Sequence, residues 1–243
     1  MSALIVGATS GLGRALGRVL AERGDDLLLV ARDPADLATE ASHLRTVYGI
    51  TITTLAADAA APDAFVAAVS DAVAAFGDIQ TVLFPIGLSL SSDLAARPLA
   101  QTQTLLDVNF TSVAALIEAL LPGLLERDGV IVGFGSVAAV RGRSANVVYS
   151  AAKRALESYF ESLRHRLSTT KVRVQFYRLG YLDTQQSYGK RLLLPKASPE
   201  VIARAVARKL DRDLGIATRP RFWIAVLPIV RWLPWPLFRR SSF

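Results

Sequence analysis

Short apolar runs alternate with helix-length amphipathic segments along nearly the whole chain. The runs fall at about 3–6, 27–31, 51–56, 80–84, 129–134 and 172–178. They are rich in Val, Ile and Leu and alternate little with polar residues, as expected of strands covered on both faces in a parallel sheet. Helix-length segments lie between them, near 12–24, 34–48, 62–76, 101–126 and 147–168. Pro34 and Pro62 stand where a helix first turn tolerates a missing N–H. The repeated strand–helix order predicts an α/β fold, a Rossmann-type doubly wound parallel sheet. One domain over 1–218 is the economical division. A helix at 199–213 and a basic, aromatic tail at 219–243 read as appendages to it.

Composition narrows the chemistry. The 243 residues include no Cys, which removes disulfides, thiol nucleophiles and thiolate metal sites. The two His, His43 and His165, lie far apart on predicted helix surface, so no metal site is expected. The N-terminal apolar run has no basic stretch before it and ends in a glycine-rich turn, so it reads as a strand rather than a signal peptide. No stretch shows the run of about 20 apolar residues needed to span a bilayer. The body is therefore expected in the cytoplasm. The net charge of +7 is uneven: residues 1–200 carry 19 basic and 19 acidic side chains, and 201–243 carry nine and two. The excess belongs to the tail and points to an anionic partner there.

The first strand–helix junction reads Gly7-Ala8-Thr9-Ser10-Gly11-Leu12-Gly13-Arg14. Glycines there permit a tight turn and close backbone approach to a pyrophosphate, and the helix N-terminus supplies amide donors. An ordinary strand–helix turn is the bland alternative. The second strand ends Val30-Ala31-Arg32-Asp33. An NAD site wants an acid for the ribose hydroxyls, and an NADP site wants Arg near the 2′-phosphate. Ala31 stands where the acid would fall and Arg32 follows, which favours NADP(H). Alternatively, Arg32 is merely solvated and Asp33 caps the helix at Pro34. Asp58, after the third strand, suits an adenine amino group or a helix cap.

Ser136 ends the fifth predicted strand, and Tyr149 and Lys153 stand four apart at a helix start. That spacing puts them on one face. A tyrosine, with a reference pKa of about 10, is a poor acid at neutral pH. A neighbouring ammonium stabilises the phenolate, and Ser136 could hold a substrate carbonyl while Tyr149 moves its proton. Tyr-x-x-x-Lys alone is usually just helix surface; Ser136 and the glycine turn give it weight.

With these residues in place, the chain resembles the short-chain dehydrogenase/reductase family over nearly its full length. Gly7, Gly11 and Gly13 match the cofactor glycines, Asp58 the adenine-contacting acid, and Asp107-Val108-Asn109-Phe110 the motif whose Asn completes a tetrad with Ser136, Tyr149 and Lys153. The resemblance implies that Asn109 holds a water that relays protons from Lys153. It also implies that Leu179–Thr184 packs on a nicotinamide, with Gly180 and Leu182 in the loop and Thr184 bonding the carboxamide. The sequence departs from the family at Phe84-Pro85-Ile86-Gly87, where only Gly87 of an Asn-Asn-Ala-Gly run survives, and at Leu179, in place of Pro. The family habit of pairing helices such as 101–126 and 147–168 across a two-fold implies a homodimer or homotetramer.

The tail holds all three Trp and five Arg with no acid. Trp and Phe favour the headgroup boundary and Arg favours anionic lipid, so a peripheral membrane-surface foot is expected. A helix buried against the domain or in a subunit contact is the alternative. Nucleic acid is disfavoured, because bulky aliphatics interrupt the basic residues. The tail and the Arg141–Tyr149 run resemble, within the family, reductases of polyprenyl-phosphate-linked keto-sugars and, more loosely, ketosphinganine, ketoacyl and steroid reductases. Arg141 and Arg143 could bind a substrate phosphate or simply be solvated. The expected activity is NADPH-dependent carbonyl reduction of a lipid-like or lipid-linked ketone. A non-catalytic NADP-binding redox sensor is the alternative from another class.

Overall fold

A computed structural model describes residues 1–90, 98–142, 144–184 and 194–240. Seven strands form one parallel sheet, in the order β3-β2-β1-β4-β5-β6-β7. They are β1 Ser2–Val6, β2 Asp26–Ala31, β3 Ile52–Ala56, β4 Thr81–Phe84, β5 Val130–Ser136, β6 Arg173–Leu179 and β7 Gly215–Arg219. The helices are α1 Gly11–Glu22, α2 Pro34–Tyr48, α3 Pro62–Phe76, α4 Leu99–Leu106, α5 Ser112–Glu126, α6 Val147–Arg166, α7 Pro199–Ala207, α8 Trp223–Trp232 and α9 Trp235–Phe238.

The sheet separates two apolar layers because successive strand side chains face opposite ways. Ile5, Leu29, Leu83 and Val132 point into the layer with Leu16 and Leu20 of α1, Leu44 of α2 and Val206 of α7. Leu4, Val30, Phe84 and Ile131 point into the other, with Phe65 of α3, Leu116 of α5 and Phe160 of α6. Burial on both faces explains the unbroken apolar runs in the sequence. The strand order reverses between β1 and β4, so a crevice opens beyond their C-terminal ends, where ligands of such sheets sit.

Three features differ from the sequence expectations. The helix expected at 101–126 is a continuous run from Leu99 to Glu126 interrupted by a π-helical turn, Asp107–Thr111. By length and composition this 28-residue run could cross a membrane, although no such stretch was expected. It is a core helix here, with Leu105, Val113, Leu116, Ile117 and Leu124 buried. The segment at 199–213 is α7 followed by turns; Ile202, Ala203 and Val206 are core residues rather than an appendage. Finally, β7 was not anticipated. Only five residues long and at the sheet edge, it carries too little periodicity to stand out.

Candidate active site

The loop after β1 is shaped by its glycines. Gly7 adopts φ +94°, a region open to glycine. The Gly7 and Ala8 amides both donate to the Val30 carbonyl, at 2.7 and 3.0 Å. A Cβ on Gly7 would lie 2.8 Å from the Ile86 backbone, so the loops after β1 and β4 touch. A Cβ on Gly13 would lie 2.1 Å from the Gly7 carbonyl, which is how α1 packs so close to its own turn. Ser10 caps α1 by accepting from the Gly13 amide at 3.0 Å. Gly11 and Leu12 then head the first turn, where amides have no intrahelical acceptor. Thr184 packs its methyl against Gly11, where a Cβ would lie 2.6 Å away. The structure thus brings the loop after β6 onto the glycine turn. Leu182 lies on the same loop, bridged to Ala197.

At the β2 end of the crevice, Asp33 caps α2, accepting from the Ala35 and Asp36 amides at 2.9 and 3.1 Å. Arg32 is exposed and makes no ion pair among the described residues. Arg14 is committed elsewhere: it donates to the Thr9 carbonyl at 3.0 Å and to buried Glu40 at 2.7 Å. Asp58 is exposed beyond β3 and turns one carboxylate oxygen onto the Ala60 amide at 3.0 Å.

The chemical end gathers around Lys153, which is 3% exposed. Its ammonium donates to the carbonyls of Ile86 at 3.1 Å and Phe134 at 3.2 Å. Burial lowers its pKa from the ordinary 10.5 to about 8. At neutral pH roughly nine-tenths of it stays charged. Tyr149 is half-buried in the first turn of α6, one turn before Lys153 on the same face. Ser136 ends β5 beside Leu179 of β6 and accepts from the Ala138 amide at 3.1 Å. This fixes the Ser136 oxygen and leaves its O–H free to donate.

Asn109 is fully buried in the π-turn. Its amide donates to the carbonyls of Leu88 and Leu105, both at 2.8 Å, and its Oδ1 accepts from the Leu88 amide at 3.1 Å. These bonds lash the segment after β4 to the helix. A Cβ on Gly87 would lie 3.3 Å from Asn109 Oδ1 and 3.4 Å from Lys153 Nζ. The side chain of Asn109 therefore positions Gly87 and, through it, the floor under Lys153. The missing Asn-Asn-Ala stretch costs this arrangement nothing, because the contact to Lys153 comes from the Ile86 backbone.

Two candidates meet the C-terminal helices. Gly180 is expected in the nicotinamide-packing loop, and the space on its Cβ side is filled by Trp223 of α8, whose indole nitrogen lies 1.9 Å from an ideal Cβ. Arg141 is expected as a substrate-phosphate ligand or a solvated loop residue; the structure engages it with the C-terminal helices. Its guanidinium donates to the Val230 carbonyl at 2.9 Å and to the Leu233 carbonyl, and lies 3.8 Å over the Phe238 ring. Arg143 lies outside the described residues. Sequence reading missed the carbonyls of Ile86 and Phe134 and the role of Trp223. Backbone acceptors leave no residue signature, and a tail contact across the fold leaves no local spacing.

Residues 1–191 match the family model described as short chain dehydrogenase. The chain belongs to that family of oxidoreductases. An uncharacterized oxidoreductase of Streptomyces coelicolor is 32% identical over 98% of this chain and 95% of its own. The ketoacyl reductase HetN of a Nostoc species is 28% identical over 85% of this chain and 74% of its own. Among solved structures, a short-chain dehydrogenase from Sphingobium yanoikuyae in complex with NADPH superposes with a TM-score of 0.82 at 25% identity, covering 99% of this chain and 96% of that one.

Proposed function

We propose that this chain is an NADPH-dependent carbonyl reductase. The buried Lys153 ammonium carries the reading: it is held by two carbonyls one helical turn from Tyr149 and close behind Ser136. A charge buried to this degree is costly, and such groups gather at functional sites.

The residues fit a dinucleotide. Gly7, Gly11 and Gly13 leave no side chain in the turn, and the head of α1 offers amides and a positive dipole end to a pyrophosphate. Arg32 is available for a 2′-phosphate, and Ala31 stands where an NAD site carries its acid, while Asp33 caps α2 through one carboxylate oxygen. NADPH is therefore favoured over NADH. It is also the cofactor named for the Sphingobium structure. Asp58 keeps one carboxylate oxygen for the adenine, and Gly87, Leu182 and Thr184 would line the nicotinamide end.

Bound there, NADPH would supply the hydride. Ser136 donates its hydroxyl to the substrate carbonyl and orients it. Tyr149 passes its proton to the carbonyl oxygen as the carbon is reduced, which yields the alcohol and a phenolate. Lys153 stabilises that phenolate across one helical turn, and the N-terminal end of α6 favours negative charge there too. Tyr149 is then reprotonated from solvent by way of the Lys153 ammonium. Asn109 holds the floor beneath Lys153.

The substrate in this proposal is an apolar or lipid-linked ketone, because an apolar tail is seated on both loops that lead from Ser136 and Gly180. The occupation of Arg141 removes one argument for a phosphate-bearing substrate. The test is NADPH oxidation against a polyprenylphosphoryl keto-sugar, ketosphinganine, a ketoacyl thioester and a steroid ketone. Tyr149→Phe should abolish turnover of whichever is active while NADPH still binds. Full turnover by that variant would sink the mechanism.

A further inference from the structure

The C-terminal helices present a surface that the catalytic groups leave unused. α8 is apolar on two sides. Trp223 and Leu227 are buried against the domain, while Ile224, Ile229 and Trp232 face outward. α9 repeats the arrangement, with Phe238 buried and Trp235 and Leu237 outward. Trp232 and Trp235 are 78% and 65% exposed and, with Ile224, Ile229 and Leu237, make an apolar outer face of the kind that marks an interaction surface. Around them Arg221, Arg231, Arg239 and Arg240 are exposed and form no ion pair among the described residues. No Asp or Glu follows Asp213 in the chain.

This surface is fixed to the catalytic domain at two points. Arg141 donates to the carbonyls of Val230 and Leu233 at the end of α8, where carbonyls have no intrahelical donor, and stacks on Phe238. Trp223 sits on Gly180 and meets the Tyr181 ring edge-on at a centroid distance of 5.6 Å. Arg141 comes five residues after Ser136, and Gly180 directly follows β6. Both anchors thus stand at the C-terminal end of the sheet, where Ser136 lies.

We propose that this face docks the protein on an anionic lipid bilayer. Trp232, Trp235 and Leu237 enter the headgroup boundary, and Arg231, Arg239 and Arg240 meet lipid phosphates. Aromatic rings with an apolar body and arginines without acidic partners are the chemistry such a boundary selects. A two-fold contact between copies of this face would set arginines against arginines with no acid to offset them, so charge complementarity favours lipid over a second copy. Arg141 acts as a positioning residue, holding the docked face beside the site entrance. The proposal goes beyond the reductase reading and does not depend on it.

The test is flotation of the full chain with phosphatidylglycerol-containing vesicles and with phosphatidylcholine alone, run beside its solution mass and its NADPH oxidation with a water-soluble ketone. Wild type should float with the anionic vesicles only. The pair Trp232→Ser and Trp235→Ser should lose flotation yet keep soluble turnover. The pair Arg239→Gln and Arg240→Gln should bind about 30-fold more weakly. Equal flotation by wild type and the tryptophan variant would overturn the proposal, as would no flotation of wild type. So would a wild-type dimer that the tryptophan variant converts to monomer without any vesicle binding. A chain that floats as expected but oxidises no NADPH supports the docking and overturns only the reductase reading.

Discussion

Trp223 occupies the volume that a side chain on Gly180 would need: an ideal Cβ there lies 1.9 Å from the indole nitrogen. Gly180 closes β6 with an amide that donates to the Arg219 carbonyl at 2.8 Å, so it cannot step aside without pulling on β7. Gly180→Ala should therefore force Trp223 out and loosen α8. The expected cost is about 1–3 kcal/mol, the usual range for overpacking. Urea midpoints check it. In a Trp223→Ala background the same substitution should cost much less, and a double-mutant cycle showing simple additivity would disprove the coupling.

Lys153 sets two pH dependences. Its pKa falls from 10.5 to about 8 through burial, so between those values the unfolded chain holds a proton that the folded chain has released. Stability should then rise with pH across that window, by up to about 3 kcal/mol relative to Lys153→Met. Below pH 8 both states are charged and the cost of burying the ammonium is present in full. Denaturant melts of the two proteins from pH 7 to 10.5 measure the difference.

Turnover should move the opposite way. Above pH 8 the ammonium that supports the Tyr149 phenolate is lost, and kcat for reduction should decline. A high-pH limb unchanged in Lys153→Arg, which keeps its charge, would assign the decline to another group.

Arg32 and Asp33 stand side by side at the end of β2, one exposed and one engaged in capping. Arg32→Ser should raise KM for NADPH by about 10- to 100-fold, the loss of a charge-assisted phosphate contact, with little effect on NADH. Cofactor titration with a fixed ketone reads this directly. Equal losses for both cofactors would mean that Arg32 serves structure instead.

Asn109→Leu would strand the carbonyls of Leu88 and Leu105 and the Leu88 amide in a buried setting. Such orphaned groups cost about 1–3 kcal/mol each. The variant should be strongly destabilised, and Asn109→Asp, which keeps only the acceptor, should fall between. Activity is also expected to drop, because the Gly87 segment and the Lys153 floor move together. Thermal melts and kcat should change in the same order across the three proteins.

Much of the fold was legible in the chain because its causes are local. Strands covered on both faces must be apolar throughout, helix starts carry Pro34, Pro62 and Ser10, and a turn that passes under a helix end demands glycine at 7 and 13. Tyr149 and Lys153 share a face by helical spacing alone, which needs no tertiary information. Other features depend on residues far apart in sequence. The carbonyls of Ile86 and Phe134 that hold Lys153 are backbone groups any residue could supply, so no side chain announces them. A five-residue edge strand at Gly215–Arg219 is too short to show a period. The destination of Arg141 could not be read from its neighbours, since a guanidinium in a loop suits a phosphate, water or a helix end equally well. Only the tertiary packing, which seats Trp223 on Gly180, brings the end of α8 within its reach.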